Sequence, residues 1–396
     1  MSEETPVSGH CDPRFEAVRE IFAANLESGA DLGAGVAFTL DGEMVVDLWG
    51  GFLDLDHEAQ WERDTLVNLY STTKGMVAIC VQQLVESGKL DVDTPVSDYW
   101  PEFAAEGKQD IPVRELLCHQ AGLPAVRKPL EAPVLYDWDA FTAALAAERP
   151  WWKPGTQHGY HAITFGHLVG EVIRRVSGQS VGEYFRAHVA GPLDADFHIG
   201  LPDEEHARTS RLHGRLIGGD PSAASADVPD ALKNFMREMA DPSTMTGGAF
   251  NNPRIPPDAV NTPEWRRAEI PAANGHGTAR ALARIYGALS RGGEIDGVRI
   301  LESESIERAI AVQADGPDAV LGGMPMRFGL GFMLSSPIMP LSPSTRSFGH
   351  PGAGGSVGMA DPDARVGFGY TPNKMQMGLV GGAGAFAMLK AFFQAL

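Results

Sequence analysis

Strand-like sequence near both ends of the chain, separated by a long stretch of helical pattern, is the feature that most restricts the fold. The first two strand-like runs are separated by Asp41-Gly42, which is a strong signal for a two-residue hairpin. Strand-like sequence at both ends implies one sheet that is assembled from distant segments. Runs rich in β-branched and aromatic residues predict strands over residues 33–40, 44–49, 328–334, 356–360 and 366–370.

Helical patterns surround these strands. Apolar residues spaced three and four apart predict helices over residues 14–26 and 72–90, and an apolar run predicts a last helix over residues 385–396. The chain is therefore expected to open with a helix that is followed by two strands.

The middle of the chain has a different character. Helical patterns interrupted by Pro and Gly loops dominate residues 91–284, and the Pro/Ala/Ser-rich residues 220–229 predict a mobile surface loop. We expect an α/β (α+β) fold in which residues 1–90 and 285–396 form an antiparallel sheet flanked by helices. Residues 91–284 are expected to form a mostly helical second lobe.

The composition indicates a folded chain with a strong negative charge. Hydrophobic residues make up 43% of the 396 residues and charged residues 21%, which allows a sizeable core. With 32 Lys and Arg against 51 Asp and Glu, the net charge of -19 repels nucleic acids and anionic membrane surfaces. No apolar run is long enough to span a bilayer, and residues 1–13 do not resemble a secretory signal, so we expect a cytoplasmic protein.

The cysteines and histidines lack the spacing of a metal site. Cys11, Cys80 and Cys118 are scattered, which favours buried free thiols over a disulfide framework or a metal knuckle. His158 and His161 lie close together, but no acidic ligand lies beside them and the chain has no H-E-x-x-H pattern. We therefore expect neither a metal nor a cofactor.

The first pattern with chemical meaning is S-x-x-K, formed by Ser71 and Lys74 at the start of a predicted helix. Residues three apart share a helix face, so the Lys amine can approach the Ser hydroxyl. A serine nucleophile needs a neighbour that accepts its proton, and a desolvated Lys can have its pKa lowered enough to do so. The pattern is short, and an exposed serine at a helix N-terminus with a solvated lysine would give the same letters.

Two further motifs carry a resemblance to a known family. The segment W-K-P-G-T at residues 152–156 is followed by Tyr160, and the run H-P-G-A-G-G-S at residues 350–356 lies between two predicted strands. With S-x-x-K early in the chain, this order resembles the serine β-lactamase and penicillin-binding protein superfamily. It is most similar to the branch that holds class C β-lactamases and the family VIII carboxylesterases. Looser matches lie at residues 116–124, 277–283 and 328–332.

The resemblance implies a role for each matching residue. Ser71 attacks the acyl carbonyl, Lys74 helps to activate Ser71, and Tyr160 relays the proton. A phenol is a poor base near neutral pH unless a cation stabilises the phenolate, and Lys74 would supply that charge. The backbone N–H groups of Ser71 and Ala353 would hold the oxyanion.

Three further residues are candidate contacts of the substrate. Gly352 would let its strand approach the substrate closely. His350 would orient the leaving group or a water molecule, or would simply be hydrogen-bonded within its strand. Trp152 would line an acyl or alcohol pocket in the helical lobe, or would belong to the core, as would Trp138, Trp151 and Trp265. For Tyr160 the alternative is simple packing on the helical lobe.

Two departures from the family pattern favour an ester over a β-lactam. The family's Tyr-x-Asn reads Y-H-A at residues 160–162, so the amide that contacts the acylamino side chain of β-lactams is missing. The late Lys-Thr-Gly reads H-P-G at residues 350–352, which replaces a permanent cation by a His that is only partly charged near neutral pH. We therefore predict a serine carboxylesterase that cleaves small-molecule esters through an acyl-enzyme on Ser71.

Other functions remain open alternatives. The same Ser/Lys/Tyr site would serve a β-lactamase, a D-amino-acid amidase or peptidase, or a transacylase. A catalytically inactive binding homologue is the alternative of another class, which the intact Ser71, Lys74 and Tyr160 disfavour. The G-x-S-x-G at residues 354–358 suggests an α/β-hydrolase with Ser356 as nucleophile, but that fold needs a later His and none follows His350. The natural ester and the oligomeric state stay open.

Overall fold

The computed structural model describes residues 7–214, 230–256, 258–376 and 381–396. The surface loop predicted over residues 220–229 lies outside these described residues. The strands are β1 (Val7–Cys11), β2 (Gly33–Leu40), β3 (Glu43–Gly51), β4 (Val67–Asn68), β5 (Phe197–His198), β6 (His276–Gly277), β7 (Glu294–Ile295), β8 (Val298–Arg299), β9 (Ala314–Pro317), β10 (Pro325–Phe328), β11 (Met333–Leu334), β12 (Phe348–Pro351), β13 (Val357–Asp361) and β14 (Val366–Pro372).

The α-helices cluster in the middle of the chain and at its two ends. They are α1 (Glu16–Glu27), α2 (Thr73–Glu86), α3 (Val96–Tyr99), α4 (Val113–Leu117), α5 (Trp138–Ala147), α6 (Thr164–Ser177), α7 (Val181–Phe185), α8 (Asp230–Ala240), α9 (Met245–Asn251), α10 (Pro263–Arg267), α11 (Ala279–Ser290), α12 (Ser303–Ile310) and α13 (Ala383–Gln394). None of the helices described is long and apolar enough to cross a membrane.

One antiparallel sheet organises the molecule. Its strand order is β1-β3-β2-β14-β13-β12-β11-β10-β9, so β14 from the end of the chain pairs with β2 from its beginning. The hairpin between β2 and β3 turns at Asp41 and Gly42, which both have positive φ (48° and 90°), as a tight hairpin turn requires. The predicted sheet of distant segments is therefore present.

Helices cover both faces of this sheet. Helix α13 lies on one face, where Phe392 stacks on Phe38 of β2 with ring centroids 4.1 Å apart. Helix α11 lies on the other face, where Thr39 Oγ1 donates a hydrogen bond to the carbonyl oxygen of Ala283 at 3.2 Å. Consecutive strand residues point to opposite faces, so these two contacts place the helices on opposite sides. The α/β (α+β) prediction is confirmed.

The structure differs from the sequence-based expectations in several elements. The described residues begin with the strand β1, which precedes the predicted helix. The sequence did not predict β1, because it is an edge strand whose mostly exposed residues show no apolar alternation. The single strand predicted over residues 328–334 is two strands, β10 and β11, separated by a turn in which Gly331 has a φ of 93°. The predicted boundary at residues 284 and 285 falls inside α11, which packs on the sheet. The division into two lobes stays a prediction.

The close approach of α11 to the sheet depends on glycines in β14, and this can be tested. In Gly369→Ala the added Cβ atom would lie 2.1 Å from the carbonyl oxygen of Ala279, so the helix must shift. We expect the free energy of unfolding to fall by about 1–3 kcal/mol in urea titrations. Gly35→Ala is the matched control, because its Cβ would first meet the Thr371 hydroxyl at 3.2 Å, and it should cost less. Equal losses would contradict this account.

Candidate active site

Ser71 lies in a tight turn immediately before α2, at the start of the helix as the sequence indicates. The turn is closed by backbone hydrogen bonds from Thr72 to Leu69 (3.2 Å) and from Thr73 to Tyr70 (3.1 Å). Tyr70 has a φ of 43°, a left-handed conformation that costs a bulky residue about 1–3 kcal/mol. The turn holds the half-buried Ser71 hydroxyl at the edge of a cleft.

Lys74 is completely buried directly behind Ser71. Its Nζ atom lies 3.1 Å from Ser71 Oγ and donates hydrogen bonds to the carbonyl oxygens of Ala162 (2.8 Å) and Ala272 (2.9 Å). Burial lowers the pKa of Lys74 well below its usual value. A neutral amine has two N–H bonds and one lone pair. With both N–H bonds directed at carbonyls, the lone pair is free to accept the proton of Ser71.

Tyr160 lies on the other side of this pair, so the structure brings the three residues together. Lys74 Nζ is 4.8 Å from the centre of the Tyr160 ring. Burial raises the pKa of Tyr160 well above its usual value, and its hydrogen bond with Ser71 opposes this only in part. Burial therefore disfavours both charged forms, the ammonium of Lys74 and the phenolate of Tyr160. The phenol keeps its proton and can donate it.

The Gly-rich segment after β12 forms the facing side of the cleft. Ala353 lines the cavity, and within the described residues its N–H makes no hydrogen bond. Gly352 was expected to contact the substrate. It instead packs on the turn that holds Ser71, where an added Cβ atom would meet the Leu69 carbonyl oxygen at 2.3 Å and Thr72 Oγ1 at 2.9 Å. Its missing side chain lets Ala353 lie close to Ser71.

Ser356 has a structural role in the same segment. Its hydroxyl donates to the carbonyl oxygen of Leu69 at 2.8 Å and lies 3.0 Å from the Thr72 hydroxyl. The residues that follow it form the strand β13, whereas a nucleophile elbow leads into a helix. The α/β-hydrolase alternative therefore has no support in the structure.

His350 is buried and uncharged. Burial lowers its pKa to about 3, so the partial charge expected near neutral pH is absent. Its Nδ1 atom lies 2.8 Å from the carbonyl oxygen of Pro351, which assigns the ring hydrogen to Nδ1 and leaves a lone pair on Nε2. The ring centroid is 6.1 Å from that of Tyr160. His350 thus borders the site as a neutral group.

The cavity beside Ser71 has apolar walls. Its unoccupied space is about 540 Å³, including the part that opens to solvent. Ala162 stands at the wall in the place of the family's Asn. Several wall residues were not predicted, because they come from segments without any motif: Ile163, Phe250, Ile255, Leu321 and Met333.

The structure places Trp265, rather than the expected Trp152, at the wall of the cavity. Trp152 does not line the cavity: its indole N–H donates to the Gln120 carbonyl oxygen at 3.1 Å, and its ring packs edge-on against His161. Trp265 does line the cavity, and its indole N–H donates to Asn68 Oδ1 at 2.9 Å. The described residues hold no cluster of three or more His, Cys, Asp or Glu side chains that could bind a metal ion.

Comparison with known proteins assigns the family. The β-lactamase family model matches residues 18–391. The chain belongs to the β-lactamase family. The esterase/β-lactamase LipL of Mycobacterium tuberculosis is 36% identical over 94% of this chain and 84% of its own.

Solved structures of this family superimpose over nearly the whole chain. A family VIII carboxylesterase has 40% identity and a TM-score of 0.89, covering 99% of this chain and 100% of that one. A penicillin-binding protein homologue from Caulobacter crescentus has 39% identity and a TM-score of 0.87 with the same coverage. The resemblance inferred from the sequence is confirmed, as is the expected class of enzyme, a serine hydrolase of the β-lactamase family.

The neutral state of Lys74 predicts how stability changes with pH. Burial lowers the pKa of Lys74 in the folded protein. At pH values between this lowered pKa and the pKa of the unfolded chain, about 10.4, Lys74 is protonated only in the unfolded chain. Stability contributed by this group therefore rises with pH. The difference in unfolding free energy between wild type and Lys74→Met should rise from about pH 7 to about pH 9, by at most ~1.4 kcal/mol per pH unit.

Urea unfolding at the two pH values measures this difference. Ser71→Ala keeps the amine and should follow the wild type. If wild type and Lys74→Met change in parallel with pH, Lys74 keeps its proton in the folded protein and the argument from burial is wrong.

Proposed function

We propose that this protein hydrolyses short-chain carboxylic esters of small molecules through an acyl-enzyme on Ser71. The observation that carries the proposal is the buried Lys74 amine 3.1 Å from Ser71 Oγ, at the edge of a cavity with apolar walls, where burial lowers the pKa of the amine. The amine supplies the base that a serine nucleophile needs, and the walls suit an uncharged acyl chain. The relatives named as an esterase and a carboxylesterase support the same activity.

Acylation uses the proton positions described above. As Ser71 Oγ attacks the acyl carbon, its proton passes to the lone pair of Lys74. The oxyanion of the tetrahedral intermediate accepts hydrogen bonds from the N–H groups of Ser71 and Ala353. When the carbon–oxygen bond of the ester breaks, the Tyr160 hydroxyl donates its proton to the departing alkoxide. The Lys74 ammonium then returns a proton to Tyr160.

Deacylation reverses these proton transfers. A water molecule attacks the acyl carbon and gives up its proton along the same path, and Ser71 Oγ is reprotonated as the acid leaves. Both steps begin and end with a neutral amine and a neutral phenol. The buried site therefore stores no net charge between turnovers.

The cleft suits an ester better than a β-lactam. Ala162 offers only a methyl group where an amide would contact an acylamino side chain. His350 is uncharged, so no cation stands at the position expected to hold a carboxylate. β-Lactam hydrolysis stays the second candidate, because the nucleophile, amine and phenol are those of the family and LipL carries both activities in its name.

The first test compares an ester with a β-lactam. We expect wild-type protein to cleave p-nitrophenyl butyrate well and a chromogenic cephalosporin poorly, and Ser71→Ala to reduce both rates by about a thousandfold or more. Ser87→Ala, at the opposite end of α2, is the matched control and should keep both activities. Dominant cephalosporin turnover would replace the esterase assignment by the second candidate. Full activity in Ser71→Ala would remove Ser71 as nucleophile.

The apolar wall predicts a limit on acyl length. Phe250→Ala enlarges the cavity, so the ratio of kcat/KM for p-nitrophenyl octanoate to that for the butyrate should rise about tenfold, which corresponds to ~1.4 kcal/mol. Phe393→Ala is the control and should leave the ratio unchanged, because Phe393 is a partly buried residue of α13, the helix that packs on the sheet. An unchanged ratio in Phe250→Ala would mean that this wall does not meet the acyl chain.

A further inference from the structure

A completely buried carboxylate, Asp318, lies in the segment between β9 and β10. One of its oxygens, Oδ1, accepts three backbone hydrogen bonds: from Tyr160 at 3.0 Å, from Val320 at 2.8 Å and from Leu321 at 2.8 Å. Two of these donors belong to residues that border the cleft, Tyr160 and Leu321. A single oxygen atom thus joins the phenol side of the site to its apolar wall.

The segment that contains Asp318 runs alongside the segment that contains Tyr160. The Ala319 N–H donates to the carbonyl oxygen of His158 at 3.0 Å, next to the hydrogen bond from the Tyr160 N–H to Asp318. The contacts on the Tyr160 ring are of a different kind. Its ring stacks on Phe328 with centroids 6.3 Å apart and tilts against His119 at 4.9 Å.

These two kinds of contact restrict different motions. Contacts between ring faces fix the plane of the ring but resist sliding weakly, because dispersion has little directionality. A hydrogen bond to a carboxyl oxygen, by contrast, is directional. Apart from its hydrogen bond with Ser71 itself, the backbone bond to Asp318 is therefore the directional contact that controls how far the Tyr160 hydroxyl reaches toward Ser71.

We propose that Asp318 is a positioning residue for acylation: through Oδ1 it sets the distance of the Tyr160 hydroxyl from Ser71 and, at the same time, the place of Leu321 in the cavity wall. This inference rests on the proposed function. Asp318 touches neither the nucleophile nor the amine, so it acts only through Tyr160 and Leu321. A displacement of about 1 Å at a reacting group can lower a rate by about a hundredfold.

The second oxygen of Asp318 makes a clean substitution possible. Oδ2 has no hydrogen-bond partner among the described residues and lies 4.0 Å from His158 Nε2, which likewise has none. Asp318→Asn keeps an oxygen for the three backbone donors and places its NH₂ group toward His158. Asp318→Glu keeps the carboxyl group but moves the accepting oxygen by one methylene. Asp318→Ala removes the acceptor.

The experiment measures the acylation rate of Ser71 as the burst of p-nitrophenol from p-nitrophenyl butyrate in rapid mixing. We expect the burst rate to fall about 10- to 100-fold in Asp318→Ala and in Asp318→Glu, and to stay within about threefold of wild type in Asp318→Asn. Asp361→Ala is the matched control. Asp361 is also a buried carboxyl residue that accepts from two backbone N–H groups, but it is the last residue of β13. The Asp361→Ala substitution should lower thermal stability without changing the burst rate.

A double-variant cycle with Tyr160→Phe separates positioning from general destabilisation. If Asp318 acts mainly through the phenol, adding Asp318→Glu to Tyr160→Phe should lower the burst rate by less than about threefold further. A full additional loss would overturn the proposal, as would a wild-type rate in Asp318→Glu. A burst in wild type that is absent from Ser71→Ala keeps the proposed function in place in either case. The absence of any Ser71-dependent release of p-nitrophenol would overturn the function and this inference together.

Discussion

Burial of the Lys74 amine is the interaction around which the cleft is built. Its two N–H bonds are taken by carbonyl oxygens from separate segments, Ala162 after the Tyr160 motif and Ala272 before β6. These bonds tie the start of α2 to both segments and exclude water from the nitrogen. A charged amine would lose most of its hydration there, so the neutral form is favoured and its lone pair faces Ser71. Burial of the Lys74 amine thus holds these segments together and also favours the neutral form that can accept a proton.

The same burial removes charge from the rest of the site. The phenol of Tyr160 stays protonated and the imidazole of His350 stays neutral, because in the described part of the chain neither has a charged partner that would offset the loss of hydration. A cleft without a permanent charge and with apolar walls gives little attraction to a carboxylate-bearing substrate. It does suit an ester, whose charge develops only in the oxyanion of the transition state.

Close backbone packing keeps these groups in place. Gly352 lets the segment after β12 lie against the carbonyl of Leu69, and Ser356 adds a hydrogen bond to the same oxygen. Both contacts support the turn in which Tyr70 has its strained conformation. The positions of Ser71 and Ala353, whose N–H groups we propose as oxyanion donors, therefore depend on glycine-dependent packing between α2 and the sheet. A larger side chain at residue 352 would disrupt this packing.

The sequence by itself determined what depends on short spacing or on periodicity: the S-x-x-K pair, the late Gly-rich run, the hairpin at Asp41-Gly42 and a sheet made from both ends of the chain. Only the tertiary structure decided that Lys74 is neutral, that Trp265 rather than Trp152 meets the cavity, and that Phe250 forms a wall. The physical reason is that burial, and with it pKa, depends on atoms from distant segments. Apolar wall residues look like any core residue until the chain has folded.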